Sequence, residues 1–112
     1  MQLTCATHNN IKVITVEDNR IDAASAIRFK DEMRTLTDDG ADHVVLDLSG
    51  VAFVDSSGLG AIIASMKQMG DGRRLDLAGL TPDVAKVFRL TRMDSIFVIH
   101  KDIAAALQRA AG

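Results

Sequence analysis

The stretch that most constrains the fold runs from Val44 to Met69, VVLDLSGVAFVDSSGLGAIIASMKQM. Val44, Val45, Leu46 and Leu48 form a nearly continuous apolar run broken only by Asp47. A strand of that kind is covered on much of both faces, so it belongs inside a sheet with helices packed on it. Ser49-Gly50 turns the chain, Val51–Val54 is apolar again, and Asp55-Ser56-Ser57-Gly58 ends the run. From about Gly58 to Met69, Leu59, Ile62, Ile63, Met66 and Met69 recur at helical spacing. A strand layer therefore hands over to a helix N-terminus, with two hydroxyls at the junction.

The flanking sequence supplies the rest of a layered α/β chain. Leu3–Thr7 and Ile11–Glu17 read as strands, and His8-Asn9-Asn10 between them suits a tight turn because Asn tolerates positive φ. Ile11, Val13 and Thr15 face one way, and Lys12, Ile14 and Val16 the other. Asp22 is the expected N-cap of a helix from about Ala23 to Thr37, with Ala26, Phe29, Met33 and Leu36 as its apolar stripe and Gly40 as its left-handed stop. His43–Leu48 and Leu75–Ala78 read as strands, Thr81-Pro82 opens a helix to Leu90, and Ile96–Ile99 reads as the last strand. Asp102–Ala110 closes the chain as a helix with Ile103, Ala106, Leu107 and Ala110 inward. The order ββαβαβαβα predicts a mixed, mostly parallel sheet of about four or five strands with about four helices. No linker-like segment or internal repeat interrupts it, so residues 1–112 read as one domain.

Composition removes several functions. A formal charge of −2, a pI near 5.8 and the lack of Trp and Tyr argue against nucleic-acid binding. Cys5 is the sole cysteine, so neither an intrachain disulfide nor a zinc knuckle can form, and a small semi-buried strand residue is expected there. The start, MQLTCATHNN, lacks a basic region followed by an apolar one, and no apolar run approaches the ~18 residues of a membrane span. The chain reads as cytoplasmic.

Catalytic signatures are missing as well. A nucleophile elbow would need Gly where Val54 stands before Asp55-Ser56. His8 lies in a turn, His43 begins a strand and His100 ends one; with no paired spacing they suggest no metal site, and each is expected to be solvated. There is no Walker loop and no dinucleotide fingerprint. No catalytic residue, metal or cofactor is therefore expected. The Ser57-Gly58-Leu59-Gly60 helix start could hold an anion through free backbone N–H groups, or Asp55 or Ser56 could simply cap the helix.

Asp55-Ser56-Ser57-Gly58-Leu59-Gly60, preceded by LDLSGVAFV and followed by an apolar helix, resembles the STAS domain family, and more narrowly the bacterial anti-sigma-factor antagonists. The resemblance spans essentially the whole chain and includes Leu80-Thr81-Pro82-Asp83-Val84 through Phe88, which is similar to the family's third-helix region. It implies the STAS fold and a non-enzymatic protein that binds an anti-sigma factor of histidine-kinase-like ATPase fold. That partner would phosphorylate Ser56, with Ser57 as the neighbouring alternative, and a serine phosphatase would reset the switch. Unphosphorylated, the protein would hold the anti-sigma factor and free a sigma factor; phosphorylated, it would let go. Carried onto this chain, the partner surface comprises Asp22, Asp55, Ser56, Ser57, Gly58, Leu59 and Gly60. Ser57 is expected to bond the first helical turn, and the bare Gly58 and Gly60 to let a partner backbone approach.

One departure stands beside this match. The family loop commonly reads Gly-Glu before the equivalents of Ile21-Asp22, and here Asn19-Arg20 reverses its charge. The resemblance also admits a STAS scaffold or a subunit of a signalling or lipid-transport complex without phospho-switching. An enzyme or nucleotide binder using the Ser56–Gly60 turn is the third reading.

Overall fold

The computed structural model describes the backbone of residues 1–111 and the side chains through Arg109. The first two strands, β1 (Leu3–His8) and β2 (Ile11–Val16), form the expected hairpin. Asn9 and Asn10 both take positive φ, 50° and 70°, which matches the twist of a two-residue hairpin turn. Strands β4 (His43–Asp47), β6 (Arg74–Ala78) and β7 (Ile99–His100) complete a sheet in the order β1-β2-β4-β6-β7. Only the β1–β2 pair is antiparallel, and β4 is central, as its apolar run requires. Cys5 is exposed rather than semi-buried, because β1 is an edge strand with little packed over it.

Four helices cover the sheet unequally. Helices α1 (Ala26–Thr37), α2 (Ser56–Met69) and α3 (Pro82–Leu90) lie over one face, where Phe29, Met33, Leu59, Ile62, Val84 and Phe88 close on Ile14, Val16, Val44, Leu46 and Leu77. Each such fully buried side chain contributes about 1.5–3 kcal/mol. Helix α4 (Ile103–Ala111) alone covers the other face, packing Ala106, Ile103 and Leu107 on Ile11, Val13, Val45 and Ala78. The inward placement expected of Ala110 lies outside the described side chains. Among the described residues no helix is long and apolar enough to cross a membrane.

Arg73 holds the C-terminal ends of α1 and α2 together. Its guanidinium donates to the carbonyls of Thr37 (2.6 Å), Ala41 (2.9 Å) and Met69 (3.1 Å). A cation there satisfies orphan carbonyls and faces the negative ends of two helix dipoles.

Three expectations shift. Helix α1 begins at Ala26, because Asp22–Ser25 forms a separate turn closed by a Ser25 N–H to Asp22 carbonyl bond of 3.0 Å. Asp22 is therefore not the helix N-cap; Ser25 occupies that position. The apolar segment Ile96–Ile99 is mostly not a strand. Arg92 is left-handed (φ 61°), Met93–Ser95 is a 3-10 turn, and Phe97 drops into the core edge-on to Phe88 with ring centroids 6.0 Å apart. Pairing begins only at Ile99, since continuous apolarity marks burial and does not by itself specify a ladder. Finally, Arg20–Ile21 (β3) and Phe53–Val54 (β5) pair in parallel as a small separate sheet that the order ββαβαβαβα did not include.

Candidate functional site

Strand β5 runs directly into α2, and Asp55 sits at the joint. Its backbone is extended (φ −94°, ψ −175°), and its carbonyl accepts the first helical bond from Leu59 N–H at 2.8 Å. Its carboxylate does two things. Oδ1 accepts from Gly58 N–H at 2.8 Å, an N-cap, and Oδ2 accepts from Ala23 N–H at 3.1 Å. One side chain thus closes the helix start and ties it to the β3–α1 turn.

Asp22 organises that turn. Its Oδ1 accepts from Ala24 N–H (3.1 Å) and Ser25 Oγ (3.2 Å), and its Oδ2 from Arg20 Nε (3.1 Å). The Arg20 guanidinium, helped by Ser25, holds the Asp22 carboxyl below the usual carboxylate range. Arg20 also lies over the ring of Phe53, 4.3 Å from ring centroid to guanidinium carbon. The β3–β5 register places Arg20 opposite Phe53, so both project from one face while Ile21 and Val54 are buried beneath.

Helix α2 begins at Ser56, two residues before the expected start at Gly58. Ser56 and Ser57 are its first two residues, and both are exposed. Neither hydroxyl makes a hydrogen bond to another group among the described residues, so the expected bond from Ser57 to the first turn is not formed. The capping duty falls to Asp55, which leaves both hydroxyls open. Gly58 and Leu59, expected on the partner surface, point into the domain. Leu59 is a core residue, and a Cβ on Gly58 would stand 1.9 Å from the Ile21 carbonyl oxygen. The bare position at Gly58 serves close packing inside the domain. Gly60 is exposed, and a Cβ there would meet nothing within 4 Å.

The residues left accessible around the junction are Arg20, Phe53, Ser56, Ser57 and Gly60, with Asp22 and Asp55 half-buried. Arg20 was expected at this surface only as the charge-reversed loop residue, and Phe53 was not expected there at all. The sequence signal for Phe53 was no more than an aromatic two residues before Asp55. His43 and His100, expected to be solvated, instead both reach the buried carboxylate of Asp76 on the far face of the sheet. His8 is exposed, as expected.

The STAS domain family matches residues 2–106 of this chain. The Bordetella bronchiseptica protein BtrV, named as an anti-sigma factor antagonist, is 31% identical over 87 residues, covering 77% of this chain and 75% of BtrV. Among solved structures, an anti-sigma factor antagonist from Mycobacterium paratuberculosis superposes with a TM-score of 0.88 at 22% identity, covering 99% of this chain and 94% of that one. The Bacillus cell fate determinant SpoIIAA in its phosphorylated form gives 0.71 at 19% identity, covering 97% and 99%. At these identities the superpositions establish the fold.

Proposed function

The chain belongs to the STAS domain family, and from that premise we propose that it is an anti-sigma-factor antagonist whose binding is switched by phosphorylation of Ser56. The observation that carries this reading is the state of the Ser56 hydroxyl: exposed, uncommitted and fixed at the first position of a helix whose cap is supplied by its neighbour. A kinase needs such a hydroxyl, because phosphoryl transfer depends on positioning the attacking oxygen in line with the γ-phosphorus. The partner in this reading is an anti-sigma factor of histidine-kinase-like ATPase fold, and a serine phosphatase reverses the modification. This chain acts by binding and supplies no catalytic group.

Phosphorylation adds about −1.5 to −2 charge at this point. Within the domain, the positive end of the α2 dipole accommodates that charge, favouring it by roughly 0.3–1 kcal/mol. Under a closely packed partner the same dianion must be desolvated, at several kcal/mol. Each ~1.4 kcal/mol is tenfold in affinity, so release follows without unfolding. Arg20 stacks on Phe53 in the small sheet that leads into Ser56, so the partner meets a cation stacked on an aromatic ring where the family loop commonly carries an acid.

The test is to incubate the protein with an anti-sigma kinase and ATP and to map the phosphate by mass spectrometry. Ser56→Ala should block modification, Ser57→Ala should retain it, and the phosphorylated protein should lose the complex. Phosphate on Ser57 would overturn the Ser56 assignment; a complex indifferent to phosphorylation would overturn the switch and leave a binding scaffold.

A further inference from the structure

On the α4 face, away from Ser56, three side chains gather around a buried charge that the proposed switch does not use. Asp76 lies mid-strand in β6 and is 1% exposed. The sheet register places Arg74 beside His43 and Ala78 beside His100, so Arg74, Asp76, His43 and His100 share one face. Arg74 donates to both carboxylate oxygens, Nε to Oδ1 at 3.2 Å and Nη2 to Oδ2 at 2.7 Å. Oδ2 also accepts from His43 Nε2 at 3.2 Å and His100 Nε2 at 2.9 Å.

These bonds use only part of each donor. Arg74 Nη1, and the Nδ1 atoms of both imidazoles, have no protein partner among the described residues. No buried side-chain nitrogen or oxygen there lacks a hydrogen bond, so the unused nitrogens are open rather than entombed. The three residues that carry them line a cavity of 290 Å³ together with Asp76, Ala106 and Arg109. At about 30 Å³ per water, that space exceeds a single small ion and leaves room for an organic substituent.

The charges decide what it would hold. Arg74 already cancels Asp76, and the carboxylate is covered by its own donors. Arg109 from α4 then adds a positive charge, and each imidazole can add another. A metal ion would have to displace Arg74 from both Asp76 oxygens, and no group of three or more His, Cys, Asp or Glu among the described residues is arranged to hold one.

We propose that this cavity binds a phosphate-type oxyanion, free or as a monoester, held by Arg74 and Arg109 and by the Nδ1–H groups of protonated His43 and His100. A neutral imidazole that donates Nε2–H to Asp76 offers only a lone pair at Nδ1, so anion binding is coupled to proton uptake. The titratable and charged groups facing the cavity are His43 from β4, Arg74 and Asp76 from β6, His100 from β7 and Arg109 from α4. Affinity therefore rises on acidification.

The full chain should be titrated calorimetrically with sodium sulfate, inorganic phosphate and glycerol phosphate at about pH 8 and about pH 6. Sulfate keeps its charge across this range and so isolates the protein's titration. Saturable sulfate and phosphate binding, roughly tenfold tighter at the lower pH, is expected, with the ring signals of His43 and His100 shifting in NMR. Glycerol phosphate binding more tightly than phosphate would identify the monoester as the ligand; equal binding would identify the free ion. Arg74→Gln strips Asp76 of its ion pair and can unfold the chain, so Arg109→Gln, on exposed helix surface, carries the mutational arm and should weaken binding about tenfold. Ser56→Ala should bind as wild type. Absence of saturable binding at both pH values, unmoved histidine signals, or equal affinity in Arg109→Gln would overturn the proposal.

Discussion

A Cβ on Gly58 would stand 1.9 Å from the carbonyl oxygen of Ile21 and 2.6 Å from its carbonyl carbon. The first turn of α2 is therefore pressed against the backbone of β3, and neither side can yield as a flexible side chain would. Gly58→Ala should destabilise the domain by at least the 1–3 kcal/mol of ordinary overpacking. Gly60→Ala, with open space around it, should stabilise by up to about 1 kcal/mol through helix propensity. Urea denaturation of the two variants checks both; equal effects would mean that the β3–α2 contact is not tight.

Asp55 joins two segments through one carboxylate, so its removal should cost more than a simple cap. Asp55→Ala should lose about 1–2 kcal/mol, near the upper end of cap substitutions, because the Ala23 N–H loses its acceptor as well. Asp55→Asn retains a single amide oxygen and should fall between wild type and Asp55→Ala. Hydrogen exchange at Gly58 and Ala23 should accelerate together in Asp55→Ala.

Phosphoserine at position 56, introduced by genetic encoding, should leave the fold intact. Its charge lies at the positive end of α2, and the expected change in stability is within about 1 kcal/mol of wild type. A large loss measured by urea denaturation would instead make the switch an unfolding event.

Arg73 bonds three carbonyls from two helix ends and the following loop. Arg73→Ala should cost about 1.5–3 kcal/mol, and Arg73→Lys should recover only part of that, since an ammonium cannot reproduce the planar fork. Denaturation midpoints of the two variants distinguish geometry from charge.

Asp76 should make the domain sensitive to acid. Burial pushes its carboxyl up, but Arg74 and the two histidines outweigh burial and hold it below its ordinary 3.8. A depressed carboxylate stabilises the fold fully above the unfolded-state value, and that stabilisation is lost as pH falls through the folded value. Asp76→Asn should therefore be less stable than wild type at neutral pH by about 1.5–3 kcal/mol. The gap should narrow below about pH 4, where wild type loses the same interaction. The carboxyls of half-buried Asp22 and exposed Asp39 are also depressed, by Arg20 and Lys12 respectively, so the difference between the two proteins is the quantity to follow.

Much of this architecture was legible because local chemistry and tertiary outcome agree. Asn9-Asn10 asks for positive φ and receives it, and the apolar run Val44–Leu46 becomes the central strand. The strand-to-helix handover around Asp55–Gly58 was readable too, though the helix starts two residues earlier than its apolar pattern indicated. Less legible were features whose cause lies across the fold. Asp22 has a good capping side chain, yet it caps a turn and leaves the helix to start at Ala26. Phe97 sits in an apolar run that reads as strand, but Phe88 offers it a better place edge-on in the core.

The sequence alone determined the fold class, the strand–helix junction and the family, because each depends on short-range periodicity, turn chemistry and a contiguous motif. Only the tertiary structure decided which residues at that junction are free to act. Ser56 and Ser57 are open because Asp55 takes the cap, while Gly58 and Leu59 are withdrawn because Ile21 and the core claim them. The Asp76 cluster likewise exists only in space: its members are separated by 24 and 33 positions in the chain. No periodicity encodes that distance; the parallel register of three strands closes it.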